Sequence, residues 1–137
     1  MIQIIFGEKG TGKTKRILDF ANQAAKEAKG SLVFIDDDNR YMFDLNHAIR
    51  FINASEYAIG SPKMFYGFIS GLLAGDFDLE YIFVDGLLSI IKHDLATLEE
   101  LFAELKKYSE LRGVNFVLSV SGSVAALPDY MKEMVMI

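Results

Sequence analysis

Short apolar runs alternate along this chain with longer stretches of helical periodicity. Residues 2–6 (IQIIF) form an apolar run that stops at Gly7, the pattern of a buried strand. From residue 13 to 28 the apolar positions Ile17, Leu18, Ala21, Ala24, Ala25 and Ala28 recur at the spacing of one helix face, and Gly30 beyond them is a helix stop. Residues 31–35 (SLVFI) predict a second buried strand and the polar residues 36–40 a loop. Residues 43–52 predict a helix, and 57–59 a short strand. Ser61 followed by Pro62 marks a helix start, a capping hydroxyl with proline at the first helical position, and this helix runs to about residue 74. Residues 81–84 (YIFV) predict the third main strand. Thr97 and Glu100 have capping-box spacing, and Leu98, Leu101, Phe102, Leu105 and Tyr108 share one helical face. Residues 116–120 (FVLSV) predict a fourth strand, 128–133 a helical turn, and 134–137 (MVMI) a last short strand. Strands that read as continuous apolar runs and alternate with helices imply a parallel sheet covered on both faces, an α/β fold.

Composition narrows the function classes. The 137 residues suit a single domain, and with two prolines regular structure should run nearly end to end. A net charge of −5 argues against nucleic acid as a partner. The absence of cysteine excludes a disulfide frame, a thiol nucleophile and a thiolate metal site. The apolar stretches fall short of the roughly 20 residues of a spanning helix, and residues 1–6 are too short for the apolar core of a signal peptide. A cytoplasmic protein with no membrane partner is the expectation.

Residues 7–14 read GEKGTGKT and fit G-x-x-x-x-G-K-[ST] at every fixed position. Gly7, Gly10 and Gly12 let the backbone turn sharply and present its N–H groups to phosphate oxygens. Glu8, Lys9, Thr11 and Lys15 complete the cradle, and the helix that follows adds the partial positive charge of its N-terminus. Lys13 reaches the β- and γ-phosphates, and the Thr14 hydroxyl ligates magnesium. With glycine near ~7% of residues, chance gives this pattern in roughly one chain in a few hundred of this length. The required context, a strand before the loop and a helix after it, is also present in the pattern. The segment is therefore read as a Walker A loop that binds a nucleoside triphosphate.

Two further acidic positions stand at strand ends. Residues 81–85 read YIFVD, and a buried strand that ends in a carboxylate is what holds magnesium beside a phosphate loop; Asp85 is the candidate. No acidic residue follows it, since the next residue is Gly86, so a water-activating base must come from elsewhere. The strand at 31–35 ends in Asp36, Asp37 and Asp38, three carboxylates that repel each other unless solvated or near a cation.

These segments, GEKGTGKT, FIDDD at 34–38 and YIFVDGLLSI at 81–90, resemble the RecA-like branch of P-loop ATPases. The resemblance extends from residue 1 to about residue 123. It implies a three-layer α/β/α fold with a mostly parallel five-stranded sheet in the order 5-1-4-3-2, the 116–121 strand lying between the loop strand and the Asp85 strand. It also implies that Asp38 falls on the family's water-orienting glutamate, one methylene shorter here; Asp37, next to it in the acidic run, is the second candidate. The family's γ-phosphate sensor, often a glutamine, would correspond to one of Ser119, Ser121 and Ser123. There is no room for DNA-binding loops or a C-terminal domain, so the chain looks like the bare core.

The expected ligands are ATP and magnesium. No N-K-x-D or T-K-x-D segment supplies a guanine reader, and none of the four arginines sits in a lid of the kind that small-molecule kinases carry. The leading expectation is a slow magnesium-dependent ATPase with Asp38 or Asp37 positioning water. The alternatives are a nucleotide-sensing module that does not hydrolyse, and a phosphotransferase whose acceptor pocket would involve residues 36–41 and the aromatic helix. That helix, rich in Met64, Phe65, Tyr66, Phe68, Ile69, Leu72 and Leu73, is expected to pack on the sheet and under the helix at 43–52. The apolar terminal run at 134–137 would leave an exposed sheet edge, from which a homodimer or a larger assembly is expected.

Overall fold

The computed structural model describes residues 1–136. Five strands, β1 (Ile2–Gly7), β2 (Ser31–Asp36), β3 (Ile49–Asn53), β4 (Leu79–Val84) and β5 (Asn115–Ser121), form one sheet in the order β1-β5-β4-β2-β3. Every ladder between them is parallel. A parallel sheet needs cover on both faces, and the strand residues alternate accordingly. Ile5, Leu32, Phe34, Phe83 and Val117 pack against Ile17, Leu18, Ala21 and Ala24 of α1 (Lys13–Glu27). Ile4, Val33, Ile35, Ile82, Val84, Phe116 and Leu118 turn the other way, onto α2 (Pro62–Gly75), α3 (Leu87–Ile91) and α4 (Glu99–Arg112). The architecture is the expected three-layer α/β/α arrangement.

The adjacency of the loop strand, the 116–121 strand, the Asp85 strand and the 31–36 strand is the one implied by the resemblance. The sheet departs from it at both edges. Residues 43–52 are not a helix: a 3₁₀ turn at Met42–Asp44 leads into β3, which pairs with β2 in the register Leu32↔Ile49 to Asp36↔Asn53. At the opposite edge the terminal run contributes one parallel bridge, Ile4↔Val135, in place of a strand. There Ile4 N–H donates to Met134 O at 2.8 Å and Met136 N–H to Ile4 O at 2.8 Å. Ile137, the last residue of that predicted strand, lies outside the described residues.

Other local expectations sort by their hydrogen bonds. Ser61 caps α2 as predicted, its Oγ accepting from Met64 N–H at 3.1 Å with Pro62 in the first turn. Thr97 does not cap α4. Its hydroxyl donates to Asp94 O at 2.7 Å, and the helix starts two residues later behind Leu98. Residues 57–59 form no strand, and Ala58 there has a left-handed backbone with φ 52°. The aromatic helix buries Phe65, Ile69 and Leu73 on the sheet. Its outer side meets α4, where Tyr66 stacks on Tyr108 with ring centroids 5.6 Å apart and Ser70 Oγ lies 2.5 Å from Tyr108 Oη. α4 thus supplies the cover expected from residues 43–52. No helix among the described residues is long and apolar enough to cross a membrane.

Candidate functional site

Parallel strands carry their loops to one rim, and here the C-terminal ends of β1, β4, β5 and β2 bring Gly7, Asp85, Ser121 and Asp36 to that rim. Between β1 and α1 the chain turns through Gly10 at φ 78° and Gly12 at φ 81°, values that a residue with a Cβ adopts only at a cost. Gly7 is constrained by space: a Cβ on it would stand 2.8 Å from the Thr11 hydroxyl. That hydroxyl donates to Glu8 O at 2.6 Å, and Lys13 Nζ donates to the same carbonyl at 2.7 Å. The loop is closed on itself by its own lysine.

The N-terminus of α1 is left without a cap. Gly12 occupies the capping position, no side chain accepts from the first-turn amides, and no acidic residue stands in the first turn. The unpaired N–H groups and the helix dipole together favour an anion at this point. Lys15 turns away from the loop and pairs with Asp19 one helical turn on, at 2.7 Å. The side chains of Glu8 and Lys9 are at the surface, so what these two residues offer the loop's interior is main chain, while Thr11 spends its hydroxyl on Glu8 O.

Thr14, half-buried in the first turn of α1, donates to Asp85 Oδ2 at 3.1 Å. Asp85 is itself buried, 6% exposed, at the end of β4. Its other oxygen accepts from Ser119 Oγ at 2.6 Å, and Ser119 Oγ in turn accepts from Gly86 N–H at 2.7 Å. Ser119 thus fixes the carboxylate and the turn that follows it. A hydroxyl and a carboxylate held together beside a phosphate-type loop are a hard-oxygen donor pair, the chemistry magnesium takes. These residues fit that ion.

The three aspartates after β2 divide. Asp36, 4% exposed, continues the strand, and the register Ile35↔Val84 sets it next to Asp85, whose N–H donates to Ile35 O at 2.9 Å. One carboxylate oxygen of Asp36 accepts from Asp37 N–H at 2.7 Å, while the other, Oδ2, is buried without a partner. Burial, and then the neighbouring charge of Asp85, push the Asp36 carboxyl up to about 8. Asp38 lies further out, its side chain about half exposed (51%), with one oxygen accepting from Arg40 N–H and the other 3.9 Å from the Arg40 guanidinium. Asp37 stands between them, and one oxygen from each of the three falls within 4.8 Å of the others. The resemblance sets Asp38 on the water-orienting position, with Asp37 the second candidate from the acidic run, while the carboxylate set against Asp85 is that of Asp36. The signal for it lies in the strand pairing: residues that follow paired positions in neighbouring parallel strands stand side by side.

Ser121 and Ser123 make no hydrogen bond of their hydroxyls among the described residues. Arg112 sits at the far end of the molecule, donating to Leu73 O at 2.9 Å and lying over the Phe77 ring, three residues before β5 begins.

No protein-family model matches the chain, and no curated protein does. Among solved structures it is similar to a KaiC-like protein from the archaeon Pyrococcus horikoshii, with a TM-score of 0.64 and 17% identity over 94% of this chain and 66% of that one. It is also similar to the flagellar accessory protein FlaH of Methanocaldococcus jannaschii, with a TM-score of 0.60 and 16% identity over 95% of this chain and 64% of that one. The chain thus spans just under two thirds of the length of each. The likeness is one of fold, the parallel sheet covered by helices on both faces.

Proposed function

We propose that this chain binds ATP with magnesium at the Gly7–Thr14 loop and hydrolyses it slowly. The observation that carries the reading is the convergence of an uncapped, glycine-turned helix N-terminus, a lysine parked on the loop's own carbonyl, and the Thr14–Asp85 pair. In this reading Lys13 leaves Glu8 O for the phosphate oxygens, while the amides from Gly10 to Thr14 hold the remaining phosphate charge. Thr14 and Asp85 hold the cation, which when bound neutralises charge on the β- and γ-phosphates. Ser119 keeps the Asp85 carboxylate oriented for that purpose. Asp38 or Asp37 orients water, and Asp36, buried against Asp85 and held protonated near neutral pH, would give up its proton more readily beside a cation. Magnesium-dependent binding by calorimetry, with phosphate release followed on the same sample, tests the reading. Lys13→Ala should lose most of the affinity, and a variant that binds and turns over as the parent does would refute the assignment.

A second reading, a module that binds ATP and hardly turns it over, is favoured by two contacts. Asp38 is engaged with Arg40, and Ser119, the buried polar group of the sensor strand, is committed to Asp85 and Gly86. Binding without phosphate release would select this reading; brisk turnover by the isolated protein would exclude it.

A further inference from the structure

We propose that a hollow on the same rim, beside the aspartates that follow β2, is a second ligand site shaped for a small organic acid that also carries a hydroxyl or amino group. The cavity has a volume of about 380 Å³ and lies among Asp37, Ser55, Ala58, Ser89 and Lys92. These residues come from three separate pieces of chain: the end of β2, the 3₁₀ turn after β3 with the loop that continues it into α2, and α3 with its last turn. Its size is at the lower end of small-molecule pockets, enough for a compact metabolite.

The backbone around it is unusual. Among the described residues only two other than glycine have positive φ, Ala58 at 52° and Lys92 at 55°, and both line this cavity. Left-handed backbone costs a residue with a Cβ free energy that glycine would not lose, and such conformations gather at ligand clamps. Lys92 takes it to end α3, its N–H donating to Leu88 O at 3.0 Å. Position 92 would be easier for glycine, yet it holds a cation.

The side chains define the ligand class. Lys92 and Asp37 form no ion pair among the described residues, and the Ser89 hydroxyl has no hydrogen-bond partner there. Ser55 Oγ is tied to Asn53 Oδ1 at 2.7 Å and keeps its lone pairs as acceptors. An ammonium, a carboxylate and two hydroxyls around one hollow call for a molecule with an anionic end for Lys92 and a donor end for Asp37. Hydroxy acids and amino acids share that chemistry. Because Asp37 directly follows Asp36, the donor end would lie toward the acidic pair that borders the loop.

Calorimetric titration with L-serine, L-threonine, D-glycerate and L-malate, of protein with and without ATP and magnesium, tests the proposal. The two amino acids and the two hydroxy acids separate the sources of the shared chemistry. Saturable binding of at least one probe is expected, weakened about tenfold or more in Lys92→Gly. The same variant should melt at a higher temperature than the parent, which separates loss of the ammonium from loss of the fold. No binding of any probe, or undiminished binding in Lys92→Gly, would overturn the proposal. The site does not depend on the function proposed above: an acid that binds where ATP does not would defeat that reading alone, and ATP that binds where no acid does would defeat this one alone.

Discussion

Replacing Asp36 with asparagine should stabilise the protein, and by an amount that grows with pH. The folded carboxyl is pushed up to about 8 from 3.8, first by burial and then by the charge of Asp85, with Asp37 adding to it and only the Asp37 N–H opposing. Unfolded, the same carboxyl releases its proton near 3.8. Between those two values unfolding releases one proton, so the parent loses stability as pH rises. The contribution of the neutral carboxyl is complete below the unfolded value and is lost as pH climbs toward the folded one. One proton corresponds to about 1.4 kcal/mol per pH unit. In Asp36→Asn the side-chain amide would keep an acceptor for Asp37 N–H and place an N–H₂ donor where Oδ2 is now buried without a partner. It removes the titration. Ionisable groups away from this pair contribute to parent and variant alike, so the gap between them should widen by roughly 3 kcal/mol from pH 5 to pH 7. For a domain of this size that is roughly 8–11 °C in melting temperature. The chain has no tryptophan, so circular dichroism at 222 nm is the convenient probe. Parallel melting profiles for parent and variant across pH 5–7 would refute the burial of an unpaired carboxylate beside Asp85.

Further expectations concern the same framework. Ser119→Ala leaves Asp85 Oδ1 and Gly86 N–H without their partner and should cost roughly 1–3 kcal/mol in urea unfolding, with weakened magnesium dependence of ATP binding. Ser61→Ala removes the α2 cap and should cost about 1 kcal/mol in the same assay, leaving nucleotide affinity unchanged. Gly12→Ala forces a Cβ into φ 81° and should cost about 1–2 kcal/mol while impairing ATP binding in calorimetry. ATP with magnesium at a hundredfold excess over its Kd should raise stability by about 2.7 kcal/mol, and Lys13→Ala should abolish the shift in thermal melts.

How much of this can be read from the chain depends on whether local chemistry or partner choice decides an element. The turns at Gly10 and Gly12 need residues without a Cβ, so the phosphate loop declares itself in the sequence. The capping of α2 by Ser61 is equally local. Residues 43–52 mislead for the opposite reason. Phe43, Ala48, Ile49 and Phe51 can be placed on a helix, and what makes 49–53 a strand is the free edge of β2, to which Ile49 pairs through Leu32. Thr97 is ambiguous because its hydroxyl has two nearby acceptors or donors to serve, and Asp94 O wins over the helix amides. The prominence of Asp36 over its neighbours comes from tertiary adjacency: β2 lies beside β4, and only the first aspartate is still within the sheet. The cavity at Lys92 leaves no signal in hydrophobic pattern, since its walls come from three segments that meet only in the fold.

The pairing of β1 with β5 has a consequence for the order in which the protein is made. Ile2 is partnered with Phe116 and Gly7 with Ser121, so the strand that launches the phosphate loop has no sheet neighbour until nearly the whole described chain has been synthesised. At about 5–20 residues per second, translation leaves that strand waiting on the order of ten seconds. β2, β3 and β4 pair among themselves earlier, and the apolar face of α1 must meanwhile wait for Val117 and Phe83. Nucleotide capture is therefore a late event in the life of each molecule, and an incomplete translation product that ends before β5 would carry the whole loop sequence without a site.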